Sequence, residues 1–299
     1  MDLPVLNFRR YSPAVLTLLV FLLAQGIGSI VLLGIGILVS PEFGDACREY
    51  YAGTASGLPV FQLLPVSLIA LVVMATDIIA VLVCRSLLHF SLRRTLDISA
   101  IRWRPGMLAV AGGIFGALGM SILTDSVEVP DSIMQMSLAM SHSAVGMLVV
   151  VVVGPIAEEL LFREAIAGEM MRRGANPWAA ILVSALAFSI VHLNFAQGIY
   201  ALPLGILFGI IYVRTRSIVL TAILHIVNNG IVVILLYALG EDMTQATYGE
   251  WFGGMAIPYV VMLVCFVLCI ILIRWFLRAY SPSPRYPLDD ILLEEKDKM

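Results

Sequence analysis

Residues 147–173 read MLVVVVVGPIAEELLFREAIAGEMMRR. The stretch opens as a membrane helix and then places Glu158, Glu159, Arg163, Glu164 and Glu169 before the pattern closes at Arg172 and Arg173. A charge inside hydrocarbon costs roughly 2.5–3.5 kcal/mol even on the mildest scales. The stretch therefore either leaves the bilayer at Glu158 or carries charges that compensate one another within it. The rest of the chain decides between the two.

The chain has 299 residues, 60% hydrophobic and 13% charged, with a mean hydropathy of +0.97. Soluble domains of this size do not look like this. Several apolar runs reach the roughly 20 residues that span a bilayer. Lipid leaves a backbone only helices or a closed barrel, and the period-two alternation of barrel strands is absent. The expected fold is an all-α polytopic membrane helix bundle. The first run, Ala14 to Val39, is too long for a signal-peptide core and has no clear small-residue cleavage site, so it reads as a retained helix.

About eight spans are expected, near 14–39, 60–84, 106–123, 143–173, 177–197, 199–213, 217–238 and 256–279. With that count, seventeen of the eighteen basic residues fall on one side, and only Arg48 falls on the other. The positive-inside rule then puts both termini in the cytoplasm. The opposite loops are acidic, with Asp125, Glu128 and Asp131 in one and Glu241, Asp242 and Glu250 in another. Residues 1–279 read as one integral membrane domain, and 280–299 as a polar, proline-rich cytoplasmic tail. Gly112, Gly116 and Gly119, and the GxxxG pair Gly205 and Gly209, read as close helix contacts. Cys47, Cys84, Cys265 and Cys269 form no metal motif; Cys265 and Cys269, one turn apart, read as packing. The bilayer is an expected partner and nucleic acid is not.

Ionisable residues in spans are functional candidates by default. Here they are Asp77, Glu158, Glu159, Arg163, Glu164, Glu169, His192 and His225, with Asn194, Asn228 and Asn229 as neutral companions. Asp77 reads as an interhelical hydrogen-bond partner, and His89 and His142 as incidental. Adjacent helix residues point about 100° apart, so Glu158 and Glu159 serve different purposes. Glu159 and Arg163 are spaced i,i+4 and can pair, which compensates both charges. Glu158 is left without a local cation, the setting of a general base. Phe188 and His192 are also i,i+4, so the ring can pack beneath the imidazole. His225 shares a helix face with Asn229 and nearly with Asn228, a donor set suited either to a developing oxyanion or to interhelical hydrogen bonding.

Depth joins these groups. If the fourth span runs unbroken to Arg172–Arg173, Glu158 lies ~22 Å from that end at 1.5 Å per residue. His192 lies ~22 Å from the start of the fifth span, and His225 and Asn229 ~12–18 Å from the start of the seventh. Three spans thus bring Glu, His, His and Asn to a similar depth. The same reading has Arg163, Glu164 and Glu169 either lie along a water-lined wall or lead out of the bilayer.

Three motifs stand on consecutive membrane elements: EExxxR as Glu158–Arg163, FxxxH as Phe188–His192, and a His followed four residues later by Asn as His225–Asn229. In this the chain resembles the CAAX-protease and bacteriocin-processing (CPBP, or Abi) family of intramembrane endopeptidases, over about residues 157–231. Glu164 and Arg216 stand where many members have Gly. The resemblance implies peptide-bond hydrolysis within or at the membrane of a bacterium or archaeon, acting on a membrane-associated peptide or protein. It implies that Glu158 and His192 activate a water, that His225 and Asn229 stabilise the oxyanion, and that Glu159 and Arg163, with Phe188 and Asn228, support them. No cofactor is expected. Two other readings stay open. One is a zinc protease using His192, His225 and a carboxylate, although HExxH is missing. The other is a non-enzymatic membrane scaffold or bacteriocin-immunity protein, although the broken helices and paired repeats of transporters are not evident.

Overall fold

The computed structural model describes residues 8–55, 60–127, 129–240 and 247–281, and every regular element among them is helical. Glu128, Glu241, Asp242, the side chain of Asp131 and the tail from residue 282 onward lie outside the described residues, so the readings made on them have no structural counterpart here.

Ten helices carry the architecture. They are α1 (Phe8–Val39), α2 (Pro41–Tyr51), α3 (Val66–Leu88), α4 (Trp103–Leu123), α5 (Asp131–Ser141), α6 (Ala144–Arg172), α7 (Pro177–Ile190), α8 (Phe195–Thr215), α9 (Val219–Leu239) and α10 (Ala256–Ala279). Seven of these, α1, α3, α4, α6, α8, α9 and α10, are long and apolar enough to cross a membrane. The chain is an all-α polytopic membrane bundle.

The eighth expected span is shorter than its sequence implied. α7 has 14 residues, or ~21 Å, against the ~30 Å hydrocarbon core. The apolar pattern runs on to residue 197, but the backbone breaks earlier. Leu193 adopts a left-handed φ of 55°, and Asn194 caps α8 by accepting from Gln197 N at 2.9 Å. A side-chain acceptor at that position satisfies one of the orphan N–H groups that every helix start exposes. Arg216, just past α8, still reaches Met171, just ahead of α7, so the α7–α8 pair leaves and returns at one end of the bundle.

α6 is central. It packs against α1, α3, α7, α8 and α9. It is not uniformly α-helical: over Val149–Val153 and Glu159–Gly168 the hydrogen bonding shifts from i→i+4 to i→i+5 and the turns widen. Such bulges free backbone groups that need other partners, and they concentrate at functional sites. One partner is visible: Ser184 on α7 donates its hydroxyl to the Phe162 carbonyl at 2.6 Å.

Polarity is arranged as lipid requires. Outward faces are apolar, as with Leu23, Ile27 and Ile30 on α1 and Val260, Leu263 and Ile270 on α10. With lipid outside, burying apolar surface does not drive helix association, so small residues that allow close approach carry the packing. Gly112, Gly116 and Gly119 on α4 lie against Ile273, Cys269 and Phe266 on α10. Gly205 and Gly209 on α8 lie against Ala185 and Ile181 on α7. The Cys269 sulfur seated on Gly116 accounts for that cysteine as packing, as its spacing implied.

This packing yields a paired expectation. A Cβ at Gly209 would meet Ile181 at 2.9 Å, whereas a Cβ at Gly34 on α1 would meet nothing within 4 Å. Gly209→Leu should therefore destabilise the bundle by more than the roughly 1–3 kcal/mol typical of overpacking, while Gly34→Leu should be near neutral. Monodisperse yield in detergent and the thermal midpoint of aggregation measure both, and equal loss from the two variants would contradict the assigned α7–α8 contact.

Candidate active site

The site is built outward from α6. Adjacent residues on a helix diverge, and the two glutamates do so here: the Glu159 side chain is fully buried, while that of Glu158 keeps 26% of its surface exposed. Glu159 Oε2 lies 3.2 Å from Arg163 Nε, and neither side chain reaches solvent. Neither of those atoms, nor Arg163 Nη2, has a well-aligned hydrogen bond. The attraction between the two is therefore chiefly that of opposite charges, strong because no water intervenes.

Two aromatic rings complete the enclosure. The Arg163 guanidinium sits 4.7 Å from the Phe188 ring centroid and 5.3 Å from that of Phe208. A cation held against ring faces in a desolvated place gains up to ~2 kcal/mol. Nη1 also donates to Ser184 Oγ at 3.4 Å. The water-lined wall expected for Arg163 and Glu164 is not formed. Both are buried in protein, because each charge finds its partner inside: Arg163 on Glu159, and Glu164 on Arg172 at 2.8 Å.

His225 on α9 bridges the two glutamates. Its Nδ1 lies 3.3 Å from Glu159 Oε1, and its Nε2 lies 3.5 Å from Glu158 Oε2. The contact with Glu159 sets the ring's orientation and turns Nε2 towards Glu158. The Phe188 and Phe208 rings flank the imidazole, with centroids 5.7 and 5.3 Å away. His192 lies in the α7–α8 turn, not on a helix. Its ring meets that of Phe188 edge-on at 5.0 Å, the contact that the i,i+4 spacing implied. Its Nδ1 is 2.8 Å from the Phe188 carbonyl oxygen. A carbonyl can only accept, so Nδ1 carries the hydrogen and the lone pair of the neutral ring is on Nε2.

Phe188 is thus a shared platform. It touches His192, His225, the Arg163 guanidinium and the Phe162 ring, the last at 5.4 Å. All three motifs meet on this one side chain.

Asn229 takes a position the sequence did not indicate. It donates from Nδ2 to the Val150 carbonyl at 3.0 Å, within the first widened segment of α6. Its Oδ1 accepts from Asn228 Nδ2 at 3.2 Å, and Asn228 Oδ1 accepts from Tyr200 at 2.8 Å. This chain fixes the amide orientation and leaves one Nδ2 hydrogen uncommitted. Asn194 is a helix cap, not a site group. Asp77 bonds across helices as expected, accepting from Gln25 Nε2 at 2.8 Å.

Ser184, Tyr200 and Phe208 escaped the sequence reading. A hydroxyl or a phenyl ring in an apolar span carries little signal, because a span can accommodate either wherever a neighbouring helix provides a contact.

Among the described residues, no group of three or more His, Cys, Asp or Glu side chains has the arrangement to hold a metal ion. Each ring nitrogen of His225 faces a carboxylate oxygen.

Residues 140–231 match the family model described as Type II CAAX prenyl endopeptidase Rce1-like. The membrane-embedded CAAX protease MroQ of Staphylococcus aureus (strain USA300) is 33% identical over 101 residues, covering 32% of this chain and 41% of MroQ. YdiL of Bacillus subtilis (strain 168), whose name places it among membrane peptidases, is 34% identical over 94 residues, 31% of this chain and 38% of YdiL. The chain thus spans about two fifths of the length of these relatives. No solved structure matches it. The matched segment runs from the last turn of α5 into α9 and holds every residue that meets at Phe188, so the likeness of this chain to the CAAX prenyl endopeptidase family lies over the site itself.

Proposed function

We propose that this protein is an intramembrane endopeptidase that hydrolyses a peptide bond of a membrane-associated substrate, with Glu158 as the general base. The observation that carries this reading is the convergence on Phe188: one ring supports His192 and His225 while His225 links Glu158 to the buried Glu159–Arg163 pair.

In this reading the water lies between Glu158 and Nε2 of His192. Glu158 takes a proton from it, and the hydroxide oxygen adds to the scissile carbonyl carbon. The carbonyl π electrons move to oxygen, where the Nε2–H of a doubly protonated His225, whose Nδ1–H faces Glu159, and the free Asn229 amide hydrogen donate to the developing anion. When the tetrahedral adduct collapses, the C–N bond breaks and Glu158 returns its proton to the leaving amine. A positioned base contributes about 10²–10⁴ in rate and each oxyanion donor about 10²–10³. Glu159 and Arg163 act through His225 and α6 and touch no reacting atom. A bacteriocin-immunity or scaffold role would need no such arrangement of a base and two donors. The orientation belongs to the same proposal: with both termini cytoplasmic, a reporter fused to the C-terminus should be active inside the cell, and activity only on the outer side would refute it.

Glu158→Gln keeps the shape of the side chain and removes the base. At normal expression it should lower cleavage at least 10²-fold, read as the loss of new membrane-peptide termini by mass spectrometry against the wild type. A retained cleavage pattern would sink the protease reading. Cleavage should also survive exhaustive chelation of divalent metal, and its loss on chelation with recovery on adding zinc would instead favour the zinc protease.

Arg163→Ala should lower the folded yield more than Glu158→Ala. The first strands a fully buried carboxylate, a change that costs about 3–5 kcal/mol when one partner of a buried pair is removed. The second removes a partly exposed group. Equal yields in detergent would contradict the bracing role.

A further inference from the structure

A second polar cluster lies at the arginine-rich end of the bundle, away from Phe188. Glu164, 1% exposed, accepts from Arg172 Nη1 at 2.8 Å and from the Tyr212 hydroxyl at 2.7 Å, and Arg94 approaches it to 4.0 Å. Glu169 pairs with Arg172 at 2.7 Å and with Arg173 at 2.8 Å. Both carboxylates are thus engaged. Arg216 is not matched in the same way. It is 9% exposed, yet its only hydrogen-bond acceptor among the described residues is the Met171 thioether, 3.2 Å from Nη1, and its buried Nε has none. A thioether is a weak acceptor. Burial and the neighbouring Arg172 and Arg94 pull this guanidinium below its ordinary value, with Glu164 and Tyr212 only partly offsetting them.

The backbone adds an independent observation. Arg216 follows the last turn of α8 with a left-handed φ of 57°. That position favours glycine, and a residue with a Cβ is strained there by roughly 1–2 kcal/mol. A strained arginine with a buried, unmatched guanidinium is doubly unfavourable unless an anion completes it.

The level of the site favours one source for that anion. Arg216 ends a 21-residue span, which places it near the headgroups at that end. Trp103, Trp178 and Trp275, exposed at the corresponding ends of α4, α7 and α10, mark the same interface. We propose that Arg216, bounded by Arg172, Tyr212 and Met171, binds a phosphate group, supplied by the headgroup of an anionic phospholipid. A guanidinium's charge-assisted donors suit the oxygens of a phosphate.

The test uses the full chain, stripped of lipid in detergent, and follows its thermal midpoint. Dioleoyl phosphatidylglycerol should raise the midpoint by several degrees. Inorganic phosphate at equal and tenfold concentration should not, and a shift from inorganic phosphate alone would overturn the lipid source while keeping the phosphate site. Arg216→Gly removes the guanidinium and relaxes the left-handed backbone, so it should fold well and lose the lipid-dependent shift. An undiminished shift in Arg216→Gly overturns the proposal. A chain ending at Ser281 should behave like the full chain; a lipid shift that appears only after this truncation would assign the site to carboxylates of residues 282–299 and overturn the proposal. Native mass spectrometry provides a second readout: one phospholipid should stay bound to the wild type under stripping conditions that leave Arg216→Gly bare, and equal retention by the two chains counts against the site.

Discussion

A guanidinium with no access to water constrains the centre of this protein. Arg163 sits in the middle of the bundle, fully buried, and no single contact compensates it. Glu159 supplies opposite charge, Phe188 and Phe208 supply ring faces, and Ser184 supplies one oxygen. These partners come from α6, α7 and α8. Stabilising the arginine therefore requires three helices to stand in one arrangement. A mutual charge pair in a dry place is poor evidence of stability in itself, but it is demanding about geometry, and geometry is what the proposed hydrolysis would need.

The same side chains that hold Arg163 also hold the histidines. Phe188 is the ring beneath His192 and beside His225, and Glu159 faces both Arg163 and His225. In the proposed function, structural and chemical roles would thus share residues in place of occupying separate layers. Glu158 stands apart from this interlocked set. Its partial exposure and single long contact with His225 leave it the carboxylate able to reach a water.

The widened turns of α6 belong to the same construction. They divert the Val150 and Phe162 carbonyls from ordinary helical pairing, and Asn229 and Ser184 reach across to accept that role as donors. A polar side chain from α7 or α9 is thereby tied to the backbone of the helix carrying the glutamates. The bilayer offers those carbonyls no water, so the interhelical bonds are obligatory.

What the sequence determined by itself was whatever depends on composition and on periodicity along one chain. An excess of apolar residues in runs of about 20 forces a helical bundle, because lipid solvates no other open backbone. The i,i+4 spacings of Glu159 with Arg163 and of Phe188 with His192 are local, so the pair and the ring contact were legible before any fold was known. The similar depth of Glu158 and His225 was also legible, because both lie on regular helices with a fixed rise per residue. Tertiary structure alone decided three things. α7 stops at Ile190, because Leu193 turns left-handed and Asn194 starts a new helix inside what looks like one apolar run. Arg163 and Glu164 face protein and not water, because Phe208 and Tyr212 on α8 join their charge partners on α6 and together replace solvation. And His225 is inserted between both glutamates, a contact 66 residues apart in sequence that no periodicity encodes. Spacing reports what shares a face of one helix; which faces meet is settled only when every buried charge in the bundle must find its partner at once.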